Sequence, residues 1–261
     1  MKKSLCLLVL LSMLLCACGL SSPSQPISPP AVSTPATAEP SPSPSPEPSQ
    51  APEPTPDETP EPVVIYDAFY EAGTYYDDMK NAWSYVLRIP AIQASGQDAT
   101  RLNQELFTAL YPAVKDAKDA MAGGYSLVIY RVDYTVYING QLISILCETD
   151  NDWGQEIYYT VNFDASTKTE VTREQLLQRF GLTEESFLTQ AAQIMEDHFQ
   201  QNYSMVPQDQ MYWDRHDKSV AKENFTSDCH LYVNEDGQLC MIVKLYSFAG
   251  ADYYYHIFVV K

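Results

Sequence analysis

The chain has 261 residues, with 34 acidic against 16 basic side chains and a formal charge of −18. Fifteen of the 18 prolines precede Val63, while all 19 tyrosines and all three tryptophans follow it, which separates a tail that cannot build a core from a globule that can. Six of the acidic and two of the basic residues also precede Val63, so residues 63–261 carry 28 against 14, a charge of −14 that argues against nucleic acid or an anionic membrane surface as partner and allows a cationic one.

Lys2 and Lys3 precede a short apolar run from Leu5 to Leu15, the pattern of a secretory signal. The run is too short to span a bilayer as a helix, which takes about 20 residues. Leu15-Cys16-Ala17-Cys18, followed by Gly19, resembles the lipobox of bacterial lipoproteins. The resemblance implies cleavage of residues 1–17 and lipidation of Cys18, which then anchors the protein outside the cell by its acyl chains. Residues 18–62 read as a stalk of Ser, Pro, Thr, Ala and Glu with no apolar periodicity, biased to polyproline II. At ~3.1 Å per residue it reaches about 130 Å if fully extended. A recognition segment for a proline-binding partner is the other reading of this stretch.

Within the globule, residues 63–261, Tyr66–Tyr70 and Ala82–Ile89 read as strands, and Pro90 is expected to end the second. Asp98 reads as the N-cap of a helix whose apolar positions run from Ala99 through Leu102, Leu106, Leu110 and Val114 to Met121. Pro112 should kink or split it, and Gly123-Gly124 stops it. Three β segments follow. Tyr125–Ile138 alternates, Asn139-Gly140 predicts a type I′ hairpin, Leu142–Thr149 runs back, and Glu156–Phe163 runs forward again after a polar turn at Asp150–Gln155. Thr172 and Gln175 form a capping box, and Gly181 ends that short helix. Thr183 starts another, with Phe187, Ala191, Met195, His198 and Phe199 on one stripe. A polar loop is expected at Asn202–Lys218, then strands near Phe225–Val233, Gln238–Phe248 and Tyr253–Val260. The pattern predicts an α+β fold, an antiparallel meander plus C-terminal strands with two or three helices packed on one face.

Tyr85–Ile92, Leu102-Asn103, Tyr134–Tyr137, Asn139–Ser144, Asn162-Phe163-Asp164 with Thr167, and Val171–Leu177 follow one another in an order and spacing that is distinctive as a set. Together these stretches resemble the extracytoplasmic domain of RsiV-type anti-sigma factors and the module that precedes the catalytic part of PdaC-type peptidoglycan deacetylases. The resemblance implies the fold across most of residues 63–261, and lysozyme as a partner. The chain carries neither a transmembrane helix with a cytoplasmic segment nor the deacetylase's metal-binding motifs, so the expectation is the module alone on its lipid anchor.

Chemistry is sparse. The four histidines, His198, His216, His230 and His256, form no close pair at helical or zinc-finger spacing; His198 reads as a packed core residue, and His230 and His256 could meet across a sheet. Asp150-Asn151-Asp152-Trp153 resembles the start of a calcium loop but lacks its remaining frame, and a solvated turn is the better reading. No nucleophile motif occurs, and carboxylate pairs are expected by chance in so acidic a chain. Neither catalysis nor a cofactor or metal is expected. Of Cys147, Cys229 and Cys240, two could pair or all three stay buried thiols. Asp150, Asp152 and Trp153 in one polar turn, and Tyr212 and Trp213 in another polar stretch, are the candidate anchors for a protein or sugar. The expected function is a surface-anchored, non-enzymatic binding module for a cationic protein such as lysozyme. The alternatives are a module that binds or senses peptidoglycan and, last, a wall hydrolase.

Overall fold

The computed structural model describes residues 62–151, 157–227, 229–248 and 252–261. Two long strands open the chain, β1 (Val64–Tyr76) and β2 (Ala82–Gln93), followed by the helix α1 (Gln97–Ala122). A meander follows of β3 (Ile129–Asn139), β4 (Leu142–Asn151), β5 (Ile157–Asp164) and the short β6 (Thr169–Glu170). Next come α2 (Arg173–Arg179), α3 (Glu184–Tyr203), α4 (Gln210–Val220) and a 3-10 turn (Lys222–Phe225). The chain closes with β7 (His230–Val233), β8 (Leu239–Tyr246) and β9 (Tyr253–Val259).

The class is α+β, and the strands divide into two sheets, β1-β2-β3-β4-β5-β6 and β7-β8-β9, antiparallel except for β2 beside β3. Side-chain alternation stacks them. Along β4, Ile143, Ile145 and Cys147 face Leu102, Leu106, Leu110 and Val114 of α1, while Leu146 faces the second sheet. Along β8, Leu239, Met241, Val243 and Leu245 face the helices after β6, and Cys240 and Ile242 face the first sheet. Leu239–Val243 are all at most 1 % exposed. A strand apolar on both faces must be covered on both, so the C-terminal strands form a sheet of their own, and helices occupy the outer side of each sheet.

Local signals account for most elements. The capping boxes at Thr172/Gln175 and Thr183/Ser186 both form, and Gly181 takes the left-handed φ of 70° after α2. Other expectations are corrected. Pro90 does not end β2, because it lies opposite Asp67 where the register shifts between Asp67 and Phe69, a bulge at which a missing N–H is tolerated. Pro112 stands inside an uninterrupted α1; the Thr108 carbonyl that loses its partner is on the exposed side, where water serves. Gly96, not Asp98, is the N-cap, and the Asp98 carboxylate instead accepts from the Glu170 N–H at 3.0 Å, tying α1 to β6. The stretch from Asn202 to Lys218 is not all loop, since Asp209 accepts from the Met211 and Tyr212 N–H groups and caps α4.

Strand edges left bare in the interior are closed by side chains. The strands β2 and β3 pair only at Val86/Arg131 and Leu87/Val132 and then diverge. On the side β3 vacates, Asn103 of α1 accepts from the Ile92 N–H at 2.7 Å and donates to the Ile92 carbonyl at 2.9 Å, as a strand would. At the edge of the second sheet, Ser144 accepts from the Val233 N–H at 3.0 Å and Asn162 donates to the Leu231 carbonyl at 2.9 Å. Where β7 is too short to cover β8, Asn224 bonds both the N–H and the carbonyl of Lys244, and Ser219 accepts from Tyr246.

Replacing Asn103 by Leu keeps the volume and orphans both backbone groups of Ile92, a residue 2 % exposed. The expected cost is about 2–4 kcal/mol in urea unfolding, and Ile92 should lose amide-exchange protection; a loss under about 0.5 kcal/mol would show that the bonds carry nothing.

Candidate functional site

Counting outward from the first hairpin sets Asp133 opposite Glu148 and Arg131 opposite Asp150. The Arg131 guanidinium reaches the carboxylates of Glu148 at 2.5 Å, Asp150 at 3.2 Å and Asp133 at 3.6 Å. From β2, Arg88 adds Asp133 and Asp67, each at 3.1 Å, and its guanidinium lies 4.5 Å above the Tyr134 ring, whose hydroxyl donates to Asp67 at 2.8 Å. Four carboxylates thus surround two guanidiniums, with side-chain exposures of 19–39 %. Burial opposes the charge on each arginine, and the hydrogen bonds and fields of the carboxylates outweigh it, so both guanidinium pKa values are raised. Both cations are internally committed, and the cluster keeps an excess of two negative charges near solvent.

Tyrosines border the cluster between the sheets. Tyr137 stacks on Tyr232 with ring centres 5.5 Å apart, and Tyr158 meets Tyr255 edge-on at 5.5 Å. The Tyr137 and Tyr232 hydroxyls have raised pKa values, from burial first and, among smaller causes, from the field of Glu148.

The structure places the expected anchors unequally. Asp150 lies at the end of β4, inside the cluster and not in the turn. Asp152 and Trp153 lie outside the described residues, as does Cys18. Tyr212 is corrected: it faces inward from α4, 6 % exposed, against Phe199 and Phe248, and is no surface anchor. Trp213 is 46 % exposed on α4, edge-on to Tyr212 and His216, in the helical layer rather than beside Asp150. Sequence reading missed Asp67, Arg88, Arg131, Asp133 and Glu148. Its usable signal was the alternation Arg131/Asp133 and Glu148/Asp150, equidistant from the turn.

Other chemistry-bearing groups are structural. His230 and His256 do not meet, since the His230 ring faces Tyr159 while His256 faces α3. It is His198 and His256 that approach, with ring centres 5.1 Å apart among Phe199, Tyr203 and Phe258. Burial lowers both pKa values, and His256 lowers that of His198 further. His216 bridges Glu196 at 3.1 Å and Asp217 at 3.0 Å; burial opposes its charge, the two bonds outweigh it, and its pKa is raised. Among the described residues, no three His, Cys, Asp or Glu side chains converge as a metal site. Cys147, Cys229 and Cys240 are buried free thiols, pushed up by burial, Cys229 to about 11. A cleft of about 440 Å³ between α2 and α3 is lined by Arg173, Leu177 and Leu182. There Arg173 is bound to Glu184 and to the carbonyls of Phe225 and Cys229, so it holds the fold.

Compared with known proteins, the chain matches no family model, and no curated protein is significantly similar to it.

The histidine pair gives a pH test. Both native pKa values lie below the ordinary 6.5, so the unfolded chain binds the extra protons and stability falls as pH drops below 6.5. His216, raised, contributes in the opposite sense: its share is complete below 6.5 and lost as pH rises through its native value. Urea unfolding at about pH 7.5 and 5.5 should show a smaller acid loss in His198→Phe/His256→Phe than in the wild type. An equal loss rules the pair out as its source.

Proposed function

We propose that this chain is a lipid-anchored, extracytoplasmic binding module that holds a cationic protein, lysozyme-like in charge, without catalysis. The supporting observation is the cluster around Arg131 and Arg88, in which carboxylates outnumber cations four to two near solvent. It belongs to a globule of charge −14. Such a field speeds the encounter with a basic partner and orients it, and salt weakens it. The resemblance to the RsiV-type domain supports the same reading. The residues around the cluster are charge and ring donors to one another, an arrangement suited to recognition rather than to activating a nucleophile.

Surface plasmon resonance of the full chain against lysozyme over a salt series tests it. Binding should be tightest at low salt, and Asp133→Asn/Glu148→Gln/Asp150→Asn should weaken it about tenfold or more and flatten the salt slope. No binding at low salt removes the lysozyme reading, and binding indifferent to salt removes the electrostatic one. Retention on purified sacculi without lysozyme affinity would instead favour a peptidoglycan module, for which the exposed indole of Trp213 is the contact in view. The anchor is tested separately: labelled palmitate should enter the wild type and not Cys18→Ser.

A further inference from the structure

Against the edges that side chains close, a stretch of the β3 edge stays open among the described residues. Asn139 and Leu142 flank the two-residue turn as a hydrogen-bonded pair, so alternation directs the N–H and carbonyl groups of Tyr134, Val136 and Ile138 away from β4. The Tyr134 N–H confirms the phase, since it donates to the Asp133 carboxylate at 2.8 Å. The strand β2 accompanies β3 only as far as Leu87/Val132. Among the described residues, no strand and no side chain pairs with the outward backbone groups of Val136 and Ile138. Ile138 is 69 % exposed. The outer edge of β1 is also free, but the bulge between Asp67 and Phe69 breaks it.

Charge says what fits the open stretch. At one end lie Asp67 and Asp133, whose neighbouring cations, Arg88 and Arg131, are already committed to carboxylates of the cluster. At the other, Asn139 donates to the Asn234 carbonyl at 3.0 Å, which brings alongside the exposed turn bearing Glu235 and Asp236. A second copy would set one charge of −14 against another, which disfavours self-pairing.

We propose that the fork between β2 and β3 takes up an extended lysine- or arginine-bearing segment of the partner, which adds as a strand along Tyr134–Ile138. Main-chain bonds to Val136 and Ile138 supply the hold, and the acids at both ends select basic side chains. This mode rests on the reading of the chain as a module for cationic partners.

The full chain is titrated with an alternating lysine–valine peptide, with the same peptide N-methylated at alternate residues, and with lysozyme. Val136→Pro removes one outward N–H and no bond to β4. The peptide should protect the Val136 and Ile138 amides from exchange in the wild type. Both N-methylation and Val136→Pro should weaken peptide and lysozyme binding about tenfold or more. Should Val136→Pro fail to fold, the N-methylated peptide on the wild type decides alone. Undiminished binding of the methylated peptide, or of lysozyme to folded Val136→Pro, overturns strand addition and leaves the cation-binding reading standing. No binding of peptide or lysozyme to the wild type at low salt overturns both.

Discussion

A backbone N–H or carbonyl shut away from water without a partner costs about 1–3 kcal/mol, and a stack of two short sheets creates many such groups. Here the vacancies are met by a few amide and hydroxyl side chains. An asparagine side chain sets a donor N–H beside an acceptor oxygen in the spacing of a strand residue, and Asn103 and Asn224 each turn such a pair on a single residue, Ile92 and Lys244. Ser144 and Asn162 do the same jointly for β7, and bond to each other at 2.6 Å. Because Ser144 and Asn162 belong to the first sheet and β7 to the second, these bonds fix how the sheets sit on each other, which apolar contacts alone would leave adjustable. Asn103, Ser144 and Asn162, which stood in the stretches read for resemblance, are edge-closing groups.

This explains what was legible in the chain. Local grammar read well: the box at Thr172, the helix start at Thr183, the stop at Gly181 and the stripe from Phe187 to Phe199 need only near neighbours. Errors came where distant structure decided. Pro90 is harmless only because β1 bulges opposite it, and the β3 strand begins at Ile129 rather than Tyr125. The apolar run Leu239–Val243 was the one available sign of a second sheet, since a strand in a one-faced sheet would have alternated. The helix α4 was hidden by polar composition, although Asp209, Tyr212, His216 and Ser219 carry its cap and its inward face.

The site was half visible for the same reason. Asp150 stood out as part of a polar cluster along the chain, whereas Arg131, Asp133 and Glu148 needed the hairpin folded before they met it. Arg88 and Asp67 needed the parallel contact of β2 with β3, a pairing that nothing local announces. Tyr212 and Trp213 are adjacent in sequence yet divided by helical geometry, which turns neighbours about 100° apart and sends one ring into the core and the other to the surface.

The position of β8 has a consequence for how the molecule comes into being. It contributes to the apolar layers on both sides of the second sheet, and it spans residues 239–246 of 261. A chain delivered N-terminus first therefore has its early strands and α1 in hand while the outer sides of Leu146 and Tyr158 still lack their cover. Neither layer can close until nearly the last residue has emerged, which puts a premium on holding the early half soluble, and the dense negative charge of that half serves as its own chaperone by keeping nascent copies apart.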